Sequence, residues 1–190
     1  TVYTKFKKTS KEGSLAAMKD FDGDGVADSL VKFANDTTIK GNGYATAARI
    51  YKGYLYFSSE LAVYRYKLDP DQLVPKGPLE TVVIDDHPHG MHEHIGKPIA
   101  FDNKGNLYVP FGAPSNTCQN PKRTPLQPGM DPCPQLEDHG GIWVFDAEKL
   151  NQTQSDGKKY ATGIRSIVGL DWNPQDETLY AVVHGRDDLF

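Results

Sequence analysis

Apolar and polar positions alternate in short runs along most of this chain, and turn residues punctuate the runs. Leu55-Tyr56 follows Tyr51-Lys52-Gly53-Tyr54, Leu107-Tyr108 follows a turn at residues 103–106, and Leu179-Tyr180 follows a turn at residues 173–178. Turn chemistry between β-prone runs predicts hairpins. The first two copies each lead to a further strand of similar shape, Ala62-Val63-Tyr64-Arg65-Tyr66 and Gly141-Ile142-Trp143-Val144-Phe145. Helix-like spacing is weak everywhere except around residues 147–150. The copies recur every ~50 residues or somewhat more, the spacing of propeller blades built from four short strands. The second copy is stretched by a Pro-rich insertion. The pattern predicts an all-β fold of radially repeated sheets, a β-propeller, with a small β-sandwich as the alternative.

Length alters that picture. A closed propeller needs at least about four blades, and 190 residues supply about three. The chain also begins without Met and stops close behind a strand. It reads as a piece of a longer protein, residues 1–190 forming one partial propeller domain, with completion by another chain as the alternative. A net charge of −4 argues against a nucleic-acid surface, and no apolar run is long enough to span a membrane. Cys118 and Cys133 bracket a loop dense in Pro, Gly and Asn within an insertion at residues 113–140. So few apolar groups cannot hold a loop by burial. A Cys118–Cys133 disulfide would constrain it by roughly 3 kcal/mol, and would point to a periplasmic or extracellular protein. Two free thiols are the alternative.

Two segments gather side chains of one kind. Asp20-Phe21-Asp22-Gly23-Asp24-Gly25-Val26-Ala27-Asp28 places carboxylates at alternate positions around two glycines. Calcium needs six to eight oxygens, so Asp20, Asp22, Asp24 and Asp28 with the Val26 carbonyl form a candidate structural site; a solvated acidic turn is the alternative. The closing acid comes too early for an EF-hand loop. Histidines crowd the other segment, at 87, 89, 92 and 94. Imidazoles suit transition metals, but this spacing is irregular for one ion. His94 stands apart, because it leads through Lys97 into the apolar run at residues 98–101, a strand end that could present a base. Arg165, between Gly163 and an apolar run, offers a planar fork for a carboxylate or a flat ring. Gly185, in His184-Gly185-Arg186-Asp187-Asp188, lets backbone approach a ligand.

Taken together, H-x-x-K before F-D-x-x-G-x-L-Y-V, G-I-R-x-x-x-G-L-x-W-x-P, and H-G-R-D-D resemble the quinoprotein sugar dehydrogenases. That family includes soluble glucose dehydrogenases, aldose sugar dehydrogenases, sorbosone dehydrogenase-like proteins and fungal pyranose dehydrogenases. The sorbosone dehydrogenase-like branch is the most similar. The resemblance implies a six-bladed propeller, the cofactor pyrroloquinoline quinone (PQQ) held with calcium, a sugar substrate and an external electron acceptor. It implies that His94 is the base that takes the proton of the sugar C1 hydroxyl. The same resemblance implies that Arg165 contacts the quinone with Ser166 beside it, that Gly185 and Arg186 ligate the cofactor's calcium through their carbonyls, and that Lys97 is a further basic contact. Two positions depart from soluble glucose dehydrogenase. Ser166 replaces an Asn, and Ala113 replaces the Asp that orients the base, leaving Glu93 or Asn116 as substitutes. The isolated 190 residues are expected to be inactive. Two other functions stay open: a calcium-dependent propeller lactonase, and a non-catalytic propeller module that binds sugars or proteins.

Overall fold

The computed structural model describes residues 2–4, 14–35, 39, 47–86 and 93–187. Among the described residues, thirteen strands form four antiparallel sheets in chain order. The first holds β1 (Val2–Thr4), β2 (Ser14–Lys19) and β3 (Ser29–Asn35). β4 (Ala47–Tyr51), β5 (Tyr54–Ser58), β6 (Ala62–Lys67) and β7 (Glu80–Ile84) make the second. The third contains β8 (Ala100–Phe101), β9 (Asn106–Phe111), β10 (Gly141–Asp146) and β11 (Lys158–Thr162). β12 (Ser166–Asn173) and β13 (Thr178–His184) pair as a ribbon. Within each sheet every strand pairs with its neighbour in sequence, the up-and-down order of a propeller blade.

Local chemistry explains the turns. Tyr51 pairs with Tyr54, leaving Lys52 and Gly53 as a two-residue loop with φ of 45° and 78°. Both central residues at positive φ define the turn whose twist matches a hairpin, and glycine at the second makes it cheap. At the corresponding turn before β9, the Asp102 carboxylate accepts hydrogen bonds from the Lys104 and Asn106 N–H groups, the Asn106 amide and the Tyr108 hydroxyl.

Alternation along the strands then builds a core on each side of a sheet. Leu55 and Phe57 of β5 pack with Leu15 of β2 and Phe33 of β3, between the first two sheets. Tyr56, on the opposite face, joins Val63, Val83, Leu107, Val109, Phe111, Trp143 and Phe145 between the second and third. Tyr108 faces the other way and meets Ile142, Ile167, Leu170 and Trp172, stacked on the Trp172 ring at 5.8 Å. Each fully buried aliphatic or aromatic side chain contributes roughly 1.5–3 kcal/mol. Successive sheets thus stack face to face with a separate core in every gap, as blades do about an axis, and the chain is an all-β partial propeller of about three blades, not a sandwich. Among the described residues there is no α-helix. The helix-like spacing at residues 147–150 is a correction: the segment forms bends after β10, where Ala147 is buried in the core and Glu148 caps onto Asp146.

β9 and β10 carry the feature that matters for function. Phe111 pairs directly with Gly141, so residues 112–140 leave the sheet at one level and return at the same level. Cys118 and Cys133 are disulfide-bonded across this excursion, with Cα atoms 6.1 Å apart.

Candidate active site

Four chain segments meet at one end of the third and fourth sheets: the lead-in to β8, the exit from β9, the entry to β12 and the exit from β13. His94 lies on the first, half-buried. Its Nδ1 is 2.6 Å from the Ala113 carbonyl. A carbonyl can only accept, so Nδ1 carries the proton, and in the neutral imidazole the lone pair is left on Nε2. The imidazole is therefore held in the tautomer that a general base needs. Neither Glu93 nor Asn116 performs this task. A backbone oxygen does so instead.

That contact requires Gly112. A Cβ there would sit 2.0 Å from the His94 carbonyl oxygen and 2.7 Å from the His94 Cβ. With no side chain at 112, the end of β9 slides directly beneath the histidine. Ala113 then donates its N–H to the Arg165 carbonyl at 2.8 Å. Gly163 turns the chain into Arg165 with φ of 81°. The guanidinium closes the circuit, with Nη1 2.6 Å from the Gly185 carbonyl and Nη2 2.6 Å from Asp187 Oδ2. The Arg165 side chain is 12% exposed, and its Nε is buried with no hydrogen-bond partner. His94, Arg165 and Gly185, far apart in sequence, are thus joined hand to hand through Ala113.

The remaining expected residues fall as follows. Ser166 is buried at the start of β12, opposite His184. Gly185 and Arg186 are exposed, and a Cβ on Gly185 would meet no heavy atom within 4 Å. Lys97 is the exception to the convergence. Its ammonium turns into the protein, 2.6 Å from Asp85, with the two side chains 5% and 1% exposed, and lies over the Phe111 ring. It is committed to an internal ion pair, not to the group around Arg165. His87, His89 and His92 lie outside the described residues.

The insertion packs over this end. Lys122 donates to the Pro114 carbonyl at 2.6 Å and reaches Glu93 at 3.5 Å. Arg123 lies 3.4 Å from both Glu93 and Asp187. Gln119, buried, ties the loop together through the Thr124 and Gln127 carbonyls. Between the loop and the entry to β12 lies a cavity of about 210 Å³, walled by Thr117, Cys133, Leu136, Gly140, Ile164 and Arg165 among others. Asp187 carried no role in the sequence reading, and Asn116 stood there only as an alternative orienting group for His94. The signal available was their place beside Gly185-Arg186 and beyond the β9 strand end.

The acidic motif is the turn between β2 and β3. Carboxylate oxygens of Asp20, Asp22 and Asp28 lie within 4.8 Å of one another. Gly23 and Gly25, at φ of 81° and 88°, point their N–H groups at Asp20 (2.6 and 2.9 Å). These bonds, Gly25's foremost, hold the Asp20 carboxyl below the usual range. Asp28 accepts from the Phe21 N–H. Asp24 stands outside the trio and caps the Val26 N–H at 2.7 Å. No other group of three or more acidic, His or Cys side chains converges among the described residues.

Radially stacked sheets, with a histidine and an arginine held at one end, define a partial β-propeller with a candidate site at its strand ends. The family profile for glucose/sorbosone dehydrogenase matches residues 35–189, and the chain belongs to that family. No curated protein matches it. Among solved structures, the holo form of the PQQ domain of pyranose dehydrogenase from Coprinopsis cinerea superposes with a TM-score of 0.68 at 16% identity, over 91% of this chain and 39% of that one. An iodide structure of a Trichoderma reesei enzyme of Carbohydrate-Active Enzymes family AA12 gives 0.68 at 20% identity, over 100% of this chain and 46% of that one. The calcium structure of the same enzyme family from T. reesei gives 0.66 at 19%. The chain spans less than half the length of these structures. At such identities the likeness speaks for the fold.

Proposed function

We propose that these residues carry the base side of the active site of a PQQ-dependent sugar dehydrogenase that oxidises the C1 hydroxyl of an aldose. The observation that supports this most is the Nδ1–Ala113 contact, which leaves His94 Nε2 as a proton acceptor. PQQ, when bound with calcium, supplies the two-electron acceptor for the hydride leaving C1. The residues fit that group: Arg165 Nε is a buried donor without a partner, and the space beside Gly185 is open. His94 Nε2 takes the C1 hydroxyl proton. Arg165 stabilises negative charge that develops on an oxygen beside it. The Gly185 and Arg186 carbonyls would ligate that calcium, and Ser166 lines the arginine's side. At the β2–β3 turn, Asp20, Asp22, Asp24 and Asp28 with the Val26 carbonyl would hold a second, structural calcium.

The disulfide supports secretion or a periplasmic location, and the substrate and electron acceptor meet the protein there. Among the described residues no helix is long and apolar enough to cross a membrane. The test uses the full-length protein carrying this sequence, loaded with PQQ and calcium. Aldose-dependent dye reduction is expected, and His94→Ala should lower kcat by about 10²–10⁴-fold. Wild-type activity in His94→Ala would refute the assignment of the base.

A further inference from the structure

Arg165 is gripped from outside the cofactor's own contacts. Its Nη2 bonds Asp187, whose side chain is 53% exposed. An exposed ion pair alone fixes little. The backbone of Asp187 is what is fixed. The Asn116 amide brackets it, with Nδ2 donating to the Asp187 carbonyl at 3.1 Å and Oδ1 accepting from the Asp187 N–H at 2.9 Å. Asn116 is itself buried, 71 residues away along the chain. Arg123 adds a second cation at 3.4 Å from the Asp187 carboxylate and spans to Glu93, next to His94. Asp187 is therefore held through its backbone as well as its side chain.

We propose that Asp187 is a positioning residue that aims the Arg165 guanidinium, and that Asn116, on the insertion between β9 and β10, sets where Asp187 stands. The geometry is a relay: insertion to Asn116, Asn116 to the Asp187 backbone, Asp187 carboxylate to Arg165. The insertion is then part of the site and not a decoration on it. The effect on turnover rests on the dehydrogenase reading, whereas the orientation of Arg165 does not.

The experiment uses the full-length protein and two variants, Asn116→Ala and the isosteric Asp187→Asn. Arginine labelling with phenylglyoxal is followed peptide by peptide by mass spectrometry, without cofactor. Arg165 labelling should quicken about tenfold or more in both variants, while Arg49 and Arg65, held elsewhere in the sheets, keep their wild-type rates. In the PQQ-loaded protein both variants should lose about 10–100-fold in kcat with the sugar KM unchanged. Unchanged Arg165 labelling in both variants overturns the proposal. So does an equal rise at Arg49 and Arg65, which would mean general loosening, and so does faster Arg165 labelling with wild-type kcat. Faster labelling confined to Arg165, in a wild-type protein that oxidises no aldose, would refute the dehydrogenase reading and leave the relay standing.

Discussion

Replacing Gly112 by alanine should disable the base without touching it. The new Cβ would lie 2.0 Å from the His94 carbonyl oxygen and 2.7 Å from its Cβ, whereas carbon atoms rest at about 3.5–4.0 Å. The gap must open by about 1 Å. β9 cannot retreat freely, because Phe111 is paired with Gly141 and Ala113 N–H is bonded to the Arg165 carbonyl. The histidine must move, and the 2.6 Å bond that fixes its tautomer goes with it. A displacement near 1 Å at a reacting group costs about 10²-fold in rate. Overpacking should cost about 1–3 kcal/mol of stability as well. Two assays separate these effects. Aldose-dependent dye reduction by the PQQ-loaded full-length protein reads kcat, and long-range ¹H–¹⁵N correlation of His94 reads which ring nitrogen bears the proton. Gly77→Ala serves as the control, since a Cβ there meets nothing within 4 Å. A Gly112→Ala protein with kcat within threefold of wild type and Nδ1 still protonated would refute the argument.

Other perturbations probe the scaffold. Lys97→Met leaves the Asp85 carboxylate buried beside a neutral side chain and should destabilise by about 3–5 kcal/mol in urea unfolding; adding Asp85→Leu should recover much of it. Asp102 should contribute to acid sensitivity: burial raises its carboxyl, but hydrogen bonds from Asn106, Lys104 and Tyr108 outweigh it and hold it below 3.8. A group depressed in the folded state stabilises above its unfolded value and loses that contribution as pH falls through the folded one. Thermal unfolding between about pH 4 and 2 should therefore be less pH-dependent in Asp102→Asn than in wild type. Calcium at 100 times its dissociation constant should add about 2.7 kcal/mol through the β2–β3 turn, and Asp20→Ala with Asp22→Ala should abolish that shift. Equal calcium stabilisation in the double variant would refute the ligand set.

Much of the architecture was readable because it resides in side chains with strong local meaning. Lys52-Gly53 announces its turn, and Leu55-Tyr56, Leu107-Tyr108 and Leu179-Tyr180 each follow one. The cysteines announce their bond, because a loop this polar has little else to close it. The partner of His94 was hidden for the opposite reason. Sequence points to Glu93 and Asn116 as orienting groups because both carry polar atoms, but the acceptor is a main-chain oxygen, and every residue has one. Glu93 went to Lys122 and Arg123, and Asn116 to Asp187. Lys97 misleads similarly: basic residues near a histidine suggest a ligand contact, and only tertiary packing reveals Asp85 waiting inside. At residues 147–150 the helical spacing lost to the end of β10, whose Ala147 is spent on the core.

The level closure of residues 112–140 has a further meaning. Because Phe111 and Gly141 face each other across the hairpin, the sheet does not register how many residues pass between them. Lengthening such an excursion costs little, since closure entropy grows only with the logarithm of its length. Natural variation can therefore rewrite this stretch while the blade beneath keeps its shape, and the residues that steer Arg165 are free to diversify faster than those that fold the barrel-like stack.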